Sequence, residues 1–253
     1  MTDTTSRFTD RVAILTGAGS GIGRATAVAF ANAGGKVLGV GRRAEALADT
    51  AKLHTSIETL EADICADGAA AEIVRHAVSQ WGRIDVVVNN AGILAMMPLG
   101  EATEEGISRV FATNVTAPSL LASAAMPHLR ASRGSVVNVS STYGHRPIAQ
   151  ASHYGASKAA IEHLTRSWAL ELASEGIRVN AVAPGPTESE ALAGAGLSEA
   201  QIGKVKDEEA ARIPLGRRGR PEEVAEWILH LADARAAWLT GQVLTVDGGL
   251  ELV

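Results

Sequence analysis

The sequence contains a single cysteine, Cys65, so we expect neither an internal disulfide bond nor a thiolate metal cluster, and no metal site is predicted. No apolar run reaches the roughly 18 residues that a membrane-spanning helix needs. The segment from Met1 to Asp10 is polar and lacks the apolar core of a secretory signal. These absences predict a soluble, cytoplasmic protein that does not associate with a membrane.

An excess of positive charge is also missing, since 23 Lys and Arg residues face 28 Asp and Glu residues and the formal net charge is −5. The densest basic group is formed by Arg217, Arg218 and Arg220, and a solvated or subunit-contacting loop explains it. A nucleic-acid-binding surface is therefore not expected.

Short apolar runs alternate with stretches of helical composition along the whole chain. The runs are rich in β-branched residues, as parallel strands buried on both faces are, and the helical stretches between them indicate repeated βαβ units. Right-handed crossovers would then build an α/β, Rossmann-like fold with a doubly wound parallel sheet flanked by helices. No linker-like stretch divides the chain, so residues 1–253 are predicted to form a single domain. The predicted strands cover residues 12–16, 36–40, 57–60, 84–88, 135–139, 177–182 and 243–246.

The segment of residues 188–212 departs from this pattern. It is rich in alanine and glycine and then turns acidic at Asp207, Glu208 and Glu209. Because it lies between the sixth and seventh strands, it would overhang the carboxyl edge of the sheet. It is either a mobile lid or an ordinary surface helical insertion, and the sequence does not decide between them.

The first predicted strand runs directly into a glycine-rich turn from Thr16 to Gly23. Glycines permit a tight turn and let the backbone approach a pyrophosphate, and the following helix points free N–H groups and a partial positive charge at the phosphates. A glycine-rich turn without a ligand is the alternative, but the order of strand, glycines and helix favours a dinucleotide site. The spacing is Gly-x-x-x-Gly-x-Gly rather than the more common Gly-x-Gly-x-x-Gly.

With that turn the chain resembles the short-chain dehydrogenase/reductase family, whose fingerprint is Thr-Gly-x-x-x-Gly-x-Gly. Further family motifs follow in the family's order and extend the resemblance from residue 10 to residue 250. The resemblance implies an oxidoreductase that uses NAD(P)(H) to interconvert a secondary alcohol and a ketone. The motifs are Asn89-Asn90-Ala91-Gly92, Asn114, Ser141, Tyr154-Gly155-Ala156-Ser157-Lys158, Pro184-Gly185 and Val246-Asp247-Gly248-Gly249.

The residue after the second strand should read the adenosine ribose of the cofactor. An acidic residue there would bind a free 2′-hydroxyl, whereas an arginine accommodates a 2′-phosphate. The chain has Arg42 and Arg43 in this place and no acid, and a guanidinium matches a phosphate in geometry and charge. We therefore expect NADP(H) in preference to NAD(H). NAD(H) stays open because many relatives that use NADP carry a basic residue where this chain has Ser20.

The resemblance also implies the remaining cofactor contacts. Asp63, followed by Ile64, corresponds to the family's adenine-contacting acid, although a plain turn aspartate is the alternative. Ser189 takes the position of the threonine that binds the nicotinamide carboxamide in the family, and Thr187 competes for that contact. The other expected contacts are Gly17, Gly19, Ser20, Gly21, Ile22, Gly23, Asn90, Ala91, Gly92, Pro184 and Gly185.

Tyr154 and Lys158 are four residues apart in a stretch of strong helical character, so both side chains should lie on one helix face. A tyrosine ionises near pKa 10, but a cation about 4 Å away could lower that pKa by up to roughly three units. Tyr154 would then act as a general acid–base group near the working pH. The resemblance adds a second task for Lys158, a hydrogen bond to the nicotinamide ribose. Alone, a Tyr-x-x-x-Lys pair would be an ordinary pair on a helix surface.

Two further residues complete the catalytic set that the resemblance implies. Ser141 ends the fifth strand, 13 residues before Tyr154, and its hydroxyl can stabilise charge that develops on the substrate oxygen. Its neighbour Ser140 points the opposite way on an extended strand and is interpreted as structural. Asn114 corresponds to the family's asparagine, which kinks the helix after the fourth strand and holds a water that relays protons to the lysine.

Two other functions stay open. One is a 3-oxoacyl-(acyl-carrier-protein) reductase, but such enzymes tend to carry a basic residue where this chain has Glu175. The other is a non-enzymatic nucleotide-binding regulator, a class that usually loses the tyrosine or the lysine kept here. The resemblance further implies a homotetramer. The small alcohol or ketone substrate is not specified, and its pocket should be lined by residues 93–98, 142–150 and 187–205.

Overall fold

Seven parallel strands form one sheet in the computed structural model, which describes residues 7–189 and 198–253. The strand order is β3-β2-β1-β4-β5-β6-β7, so the crossovers wind outward in both directions from the middle of the sheet. This is the doubly wound, Rossmann-like arrangement that the sequence predicts. The strands are β1 Val12–Thr16, β2 Lys36–Gly41, β3 Ile57–Glu61, β4 Val86–Asn89, β5 Ser135–Val139, β6 Arg178–Pro184 and β7 Val243–Val246.

Helices cover both faces of the sheet. In one buried apolar cluster α1 and α8 pack on the sheet, and in the other α3, α5 and α6 do so. No described helix is long and apolar enough to span a membrane. Within the described residues the helices are α1 Gly21–Asn32, α2 Ala44–Ala51, α3 Ala69–Trp81, α4 Glu104–Phe111, α5 Ala117–Ser132, α6 Ser152–Leu172, α7 Glu199–Arg212 and α8 Pro221–Ala232.

Strand β1 shows why the sheet lies in the interior. All five of its residues are buried, and their side chains alternate between the two apolar layers. Leu15 joins the cluster of α1 and α8, whereas Ile14 joins the cluster of α3 and α5. Full burial of one such side chain contributes about 1.5–3 kcal/mol. A polar residue at either position would lie in an apolar layer, which explains the unbroken apolar run.

Four of the seven strands, β2, β3, β4 and β6, differ from their predicted bounds by one or two residues at one or both ends. Strand β4 begins at Val86 rather than at residue 84, and the Asp85 carboxylate just before it accepts hydrogen bonds from the Val12 N–H group and from the guanidinium groups of Arg11 and Arg83. Helix α1 begins at Gly21, so the helix already includes the last glycines of the turn.

The topology creates a crevice at the carboxyl ends of β1 and β4. The crossovers leave β1 on one side and β4 on the other, and ligands of open α/β sheets bind at such a switch point. Gly17 follows β1 directly, and Asn90 follows β4 directly. The fold therefore brings the predicted motifs to one edge of the sheet.

The predicted lid contains α7, while its residues 190–197 lie outside the described residues. Ion pairs tie α7 to the segment after β6. The guanidinium of Arg218, only 7% exposed, contacts Glu188 after β6 and Glu209 on α7, and Lys206 on α7 reaches Glu188 at 2.5 Å. Opening of this segment would break these ion pairs, and its movement as a lid stays a prediction.

Candidate active site

The glycine-rich turn after β1 is packed so closely that side chains are excluded from it. A β-carbon added at Gly23 would stand 2.1 Å from the carbonyl oxygen of Gly17. One added at Gly17 would stand 2.7 Å from Nδ2 of Asn90, and Gly17 has a φ of 72°, in the left-handed region that favours glycine. The bare backbone of this turn therefore fits the close approach of a pyrophosphate.

The first turn of α1 provides hydrogen-bond donors for such an anion. Ser20 is the N-cap residue, but its side chain makes no capping hydrogen bond to the helix and instead accepts one from Arg43 at 3.1 Å. Residues 21–24 include no acid that would counter the positive end of the helix. Phosphate oxygens are the groups that these N–H donors suit.

Thr16 holds the segment after β4 against this turn. Its Oγ1 accepts hydrogen bonds from the N–H groups of Asn90 at 3.1 Å and of Ala91 at 3.0 Å. Nδ2 of Asn90 donates in return to the carbonyl oxygen of Thr16 at 2.8 Å. The two segments expected to contact the cofactor are thus one hydrogen-bonded unit.

The residues expected to contact the adenosine end follow β2 and β3, which are neighbouring strands. Arg42 is exposed and forms no ion pair or hydrogen bond with the described residues, whereas Arg43 reaches Ser20. Asp63 is exposed, and Ile64 is partly buried against the apolar cluster. The Arg42 guanidinium is therefore available to a phosphate at this edge.

The segment after β6 places Ser189 and Thr187 differently. Thr187 donates its hydroxyl to the carbonyl oxygen of Gly185 at 3.0 Å. Ser189 lies next to the first turn of α1, since a β-carbon added at Gly21 would lie 3.2 Å from Cβ of Ser189. This arrangement favours Ser189 over Thr187 as the side chain that meets a cofactor on the glycine turn.

Asn114 lies in a π-helical turn, Ala112–Thr116, that separates α4 from α5. The irregularity predicted for this helix is therefore present, and such turns are frequent at functional sites. Nδ2 of Asn114 donates to the carbonyl oxygen of Ile93 and to Oγ of Ser157, both at 3.0 Å, and Oδ1 accepts from the Ile93 N–H group at 2.9 Å. Asn114 anchors the segment after β4 to α6, and its role in a water relay stays a prediction.

Ser141 and Tyr154 are in direct contact through a hydrogen bond between their hydroxyl groups. Ser141 is buried after the end of β5, and Tyr154 is half-buried in the first turn of α6. Oγ of Ser141 also accepts a hydrogen bond from the Tyr143 N–H group at 3.2 Å. Ser140 instead donates its hydroxyl to Glu162 at 2.8 Å, which supports its structural interpretation.

Lys158 is buried, but its ammonium group is not held against the tyrosine hydroxyl. Nζ donates to the carbonyl oxygen of Val139 at 2.8 Å and lies 5.9 Å from the centre of the Tyr154 ring. Burial raises the pKa of Tyr154, and the hydrogen bond from Ser141 offsets only part of that effect. The predicted lowering of this pKa by Lys158 is therefore wrong for this arrangement. Burial also lowers the pKa of Lys158 to about 8.

Gly92 marks the point where the catalytic candidates meet the cofactor segment. A β-carbon added there would lie 3.2 Å from Oδ1 of Asn114 and 3.2 Å from Nζ of Lys158. Glycine thus leaves room for both polar groups beside the backbone. The sequence motifs after β4, in the π-helical turn and on α6 converge on this position.

Two loops of the predicted substrate pocket are joined by a backbone hydrogen bond, from Met97 N–H to the Gln150 carbonyl oxygen at 2.6 Å. Leu94 and Met96 are 53% and 60% exposed, whereas Met97 is buried. Leu94 and Met96 are thus open to solvent beside the predicted pocket, whereas Met97 belongs to the core. In the third predicted lining segment, residues 187–205, residues 190–197 lie outside the described residues.

One charged group beside the site, Glu162, belongs to none of the sequence motifs. Glu162 lies one turn beyond Lys158 on α6, is buried, and contacts both Ser140 and His145. An acid four residues after a lysine, next to the apolar Ile161, is the signal that could have found it. No group of described side chains could hold a metal ion.

Proteins of known sequence match this chain over nearly their whole length. A family profile described as enoyl-(acyl carrier protein) reductase matches residues 17–251. A cis-4-hydroxycyclohexanecarboxylate dehydrogenase from Sinomonas cyclohexanicum is 40% identical over 253 residues, which cover 97% of this chain and 98% of that protein. A 3-oxoacyl-(acyl-carrier-protein) reductase from Thermotoga maritima is 38% identical over 251 residues, which cover 97% of this chain and 100% of that protein.

A solved structure is similarly close. A short-chain dehydrogenase/reductase of unknown function from Caenorhabditis elegans, determined with cofactor, matches with a TM-score of 0.92 at 34% identity, covering 98% of this chain and 97% of that one. Membership of that family implies a nicotinamide dinucleotide cofactor, for which the glycine turn and the first turn of α1 are suited. The chain is an oxidoreductase of the short-chain dehydrogenase/reductase family.

Proposed function

We propose that the protein interconverts a secondary alcohol and a ketone with NAD(P)(H), and that Tyr154 is its general acid–base group. The observation that supports this most is the meeting of Ser141, Tyr154 and Lys158, with the lysine ammonium beside Gly92 in the segment after β4. Two hydroxyl groups in mutual contact offer a carbonyl oxygen both a proton and a hydrogen bond. The lysine ammonium beside Gly92 adds a positive charge at the same edge of the sheet.

In ketone reduction, Tyr154 donates its proton to the carbonyl oxygen as that oxygen gains negative charge. Because burial raises its pKa, the phenol is protonated at neutral pH and is ready to act as an acid. Ser141 donates a hydrogen bond to the same oxygen and stabilises the charge on it. Alcohol oxidation uses the two groups in reverse, and the raised pKa of Tyr154 makes that direction require a higher pH.

The remaining residues hold the cofactor and return a proton to Tyr154. When bound, the nicotinamide ring supplies the hydride or accepts it in the reverse reaction. The glycine turn, the first turn of α1, the segment from Asn90 to Gly92 and Ser189 would hold the dinucleotide. Lys158, with a pKa of about 8, can take up and release a proton near neutral pH and so return one towards Tyr154. Asn114 keeps the backbone at Ile93 fixed to α6 through Ser157.

A screen of ketones with NADPH and NADH tests the proposal. It begins with cyclohexanones that carry a carboxylate, because one relative is named for a hydroxycyclohexanecarboxylate and because Leu94 and Met96 offer exposed apolar side chains beside the predicted pocket. Oxidation of the reduced cofactor that depends on the ketone supports the proposal. Failure of every ketone and of every matching alcohol with both cofactors would contradict it.

Arg42→Ala is expected to weaken NADPH binding about 10- to 100-fold and to leave NADH binding unchanged within about twofold. The reason is that a charge-assisted hydrogen bond to a phosphate contributes about 1.5–3 kcal/mol, and each 1.4 kcal/mol is a factor of ten in affinity. Calorimetric titration of both variants with each cofactor measures the effect.

The matched control for this prediction is Arg75→Ala, which removes an exposed arginine from α3, outside the proposed cofactor contacts. It should bind both cofactors like the unmodified protein. A preference for NADPH that survives Arg42→Ala, or an unmodified protein that binds NADH at least as well as NADPH, would show that Arg42 is a solvated surface charge.

A carrier-bound substrate is the second candidate, because the relative from Thermotoga maritima is named as a 3-oxoacyl-(acyl-carrier-protein) reductase. The surface at Glu175 argues against an acidic carrier. Glu175 forms an ion pair with Arg130 on α5, so that the nearest basic group there is already neutralised. Free ketones are therefore the first substrates to test.

We further propose that the chain works as one domain, in the cytoplasm, within a homotetramer. Leu170 on α6 is 84% exposed, as expected of a helix face that meets another subunit. Gel filtration is expected to give the mass of four chains. A monomer mass would contradict the proposed assembly.

A further inference from the structure

A buried carboxylate lies beside the catalytic candidates without a part in the reaction described above. Glu162 on α6 is 4% exposed, although a charged side chain is seldom buried without partners. Its Oε1 accepts a hydrogen bond from Ser140 Oγ at 2.8 Å and contacts Nδ1 of His145 at 3.1 Å. Burial of a charge is costly unless hydrogen bonds and an opposite charge compensate it, so the burial of Glu162 needs an explanation.

The Glu162 carboxylate and the Lys158 ammonium group both bind at the end of β5. Lys158 and Glu162 are one helical turn apart, the spacing at which side chains on a helix are neighbours. Nζ of Lys158 reaches the carbonyl oxygen of Val139, and Glu162 reaches the next residue, Ser140. Ser140 Oγ also lies 3.2 Å from the carbonyl oxygen of Lys158. Both charged groups are therefore held at the end of β5, directly before Ser141.

The turn after β5 is shaped around this carboxylate. A β-carbon added at Gly144 would stand 2.4 Å from Oε1 of Glu162 and 2.8 Å from Oγ of Ser140. The residue after Gly144 is His145, whose two ring nitrogens lie between two carboxylates. Nδ1 faces Glu162, and Nε2 faces Glu251 of the C-terminal segment at 2.7 Å.

We propose that Glu162 is a positioning residue, a buried counter-ion shared by Lys158 and His145 that keeps the lysine charged and fixes the strand end that carries Ser141. This inference rests on the proposed roles of Lys158 and Ser141 in the reaction. Glu162 itself touches neither substrate nor cofactor in this account. It acts through the protonation of Lys158 and through Ser140.

The electrostatics agree with the geometry. Burial lowers the pKa of Lys158 to about 8, and the negative charge of Glu162 opposes that fall. Burial also works against a charged His145, but the hydrogen bonds and charges of Glu162 and Glu251 outweigh it and raise its pKa. The titratable and charged groups around this cluster are Tyr154, Lys158 and Glu162 on α6, Tyr143, His145 and Arg146 in the turn after β5, and Asp247 and Glu251 in the C-terminal segment.

The protonation of Lys158 can be measured without any reaction. The chain contains five lysines, so nuclear magnetic resonance of protein made with isotope-labelled lysine gives few signals. The signal that Lys158→Arg removes belongs to Lys158. Its chemical shift is followed against pH in the full chain without substrate or cofactor.

Glu162→Gln is expected to move the titration midpoint of Lys158 down by about one pH unit, because an opposite charge at this range favours the charged form. His145→Gln is expected to leave the midpoint in place or to raise it, since it removes a positive charge and no negative one. Glu171→Gln, the same change at an exposed position of α6, is the matched control and should leave the midpoint unchanged.

The comparison of Glu162→Gln with His145→Gln distinguishes the loss of a negative charge from a general loosening of the structure. A midpoint that stays in place in Glu162→Gln, or that falls in both Glu162→Gln and His145→Gln, would overturn the inference. Should Glu162→Gln fail to fold, Glu162→Met removes the same charge with a side chain of similar length and must show the same fall. If Tyr154→Phe kept full turnover, the proposed function would fail while this titration stood, so the two failures are distinguishable.

Discussion

Replacement of Tyr154 by phenylalanine should reduce turnover about 10²- to 10⁴-fold, the usual contribution of a general acid–base group. The change removes one hydroxyl, which contacts Ser141 and is the proton donor of the proposed reaction. The ring stays, so the packing of the first turn of α6 should hold. Steady-state rates at saturating cofactor and ketone measure the loss, and thermal unfolding together with cofactor titration shows that fold and binding are kept.

Tyr143→Phe is the natural comparison, because Tyr143 is the other tyrosine of the chain and lies in the turn directly after Ser141. Tyr143 is not assigned a proton transfer, so the loss should stay below about tenfold. Near-normal turnover in Tyr154→Phe, or an equal loss in both variants, would contradict the assignment of Tyr154 as the acid–base group.

Gly23→Ala should abolish measurable dinucleotide binding and destabilise the protein. The added methyl group would stand 2.1 Å from the carbonyl oxygen of Gly17 and 2.6 Å from Nδ2 of Asn90, so the turn after β1 and the segment after β4 must both move. Overpacking of this kind costs about 1–3 kcal/mol, and it displaces the backbone that meets the phosphates. Denaturant unfolding and calorimetric titration with NADPH and NADH give the two effects separately.

Gly203→Ala is the control for that change, because Gly203 lies on α7 and a β-carbon there would meet nothing within 4 Å. Alanine is favoured over glycine in a helix by about 1 kcal/mol, so this variant should be slightly more stable and should bind the cofactor normally. A Gly23→Ala protein with unchanged stability and unchanged cofactor affinity would show that the close packing of the turn is not required.

The sheet could be predicted from the sequence because its strands are buried on both faces. Ile14 and Leu15 face opposite apolar layers, so β1 must be apolar from Val12 to Leu15 and stands out in the sequence. The edge strand β3 is less clear, since Glu58 and Glu61 interrupt its apolar residues. The glycine turn was equally visible, because contacts at Gly17 and Gly23 leave no room for another residue type.

The electrostatics of the site could not be predicted in the same way. A four-residue spacing places Tyr154 and Lys158 on one face of a helix, but it does not determine where a flexible ammonium group points. That group reaches the carbonyl oxygen of Val139, 19 residues earlier in the chain, because the end of β5 lies beside α6 in the folded protein. The counter-ion Glu162 depends likewise on the turn that contains Gly144 and His145, a contact that only the tertiary structure creates.

The measurement that tests the central claim most directly is the fate of the transferred hydride. The protein is given a cyclic α,β-unsaturated ketone and reduced cofactor deuterated at the transferring position of the nicotinamide, and the product is analysed by mass spectrometry and nuclear magnetic resonance. We expect deuterium on the carbinol carbon of an alcohol, with the carbon–carbon double bond intact. Deuterium on a carbon of the former double bond, with the carbonyl group left in place, would contradict it and would indicate the enoyl reduction for which the matching family profile is described.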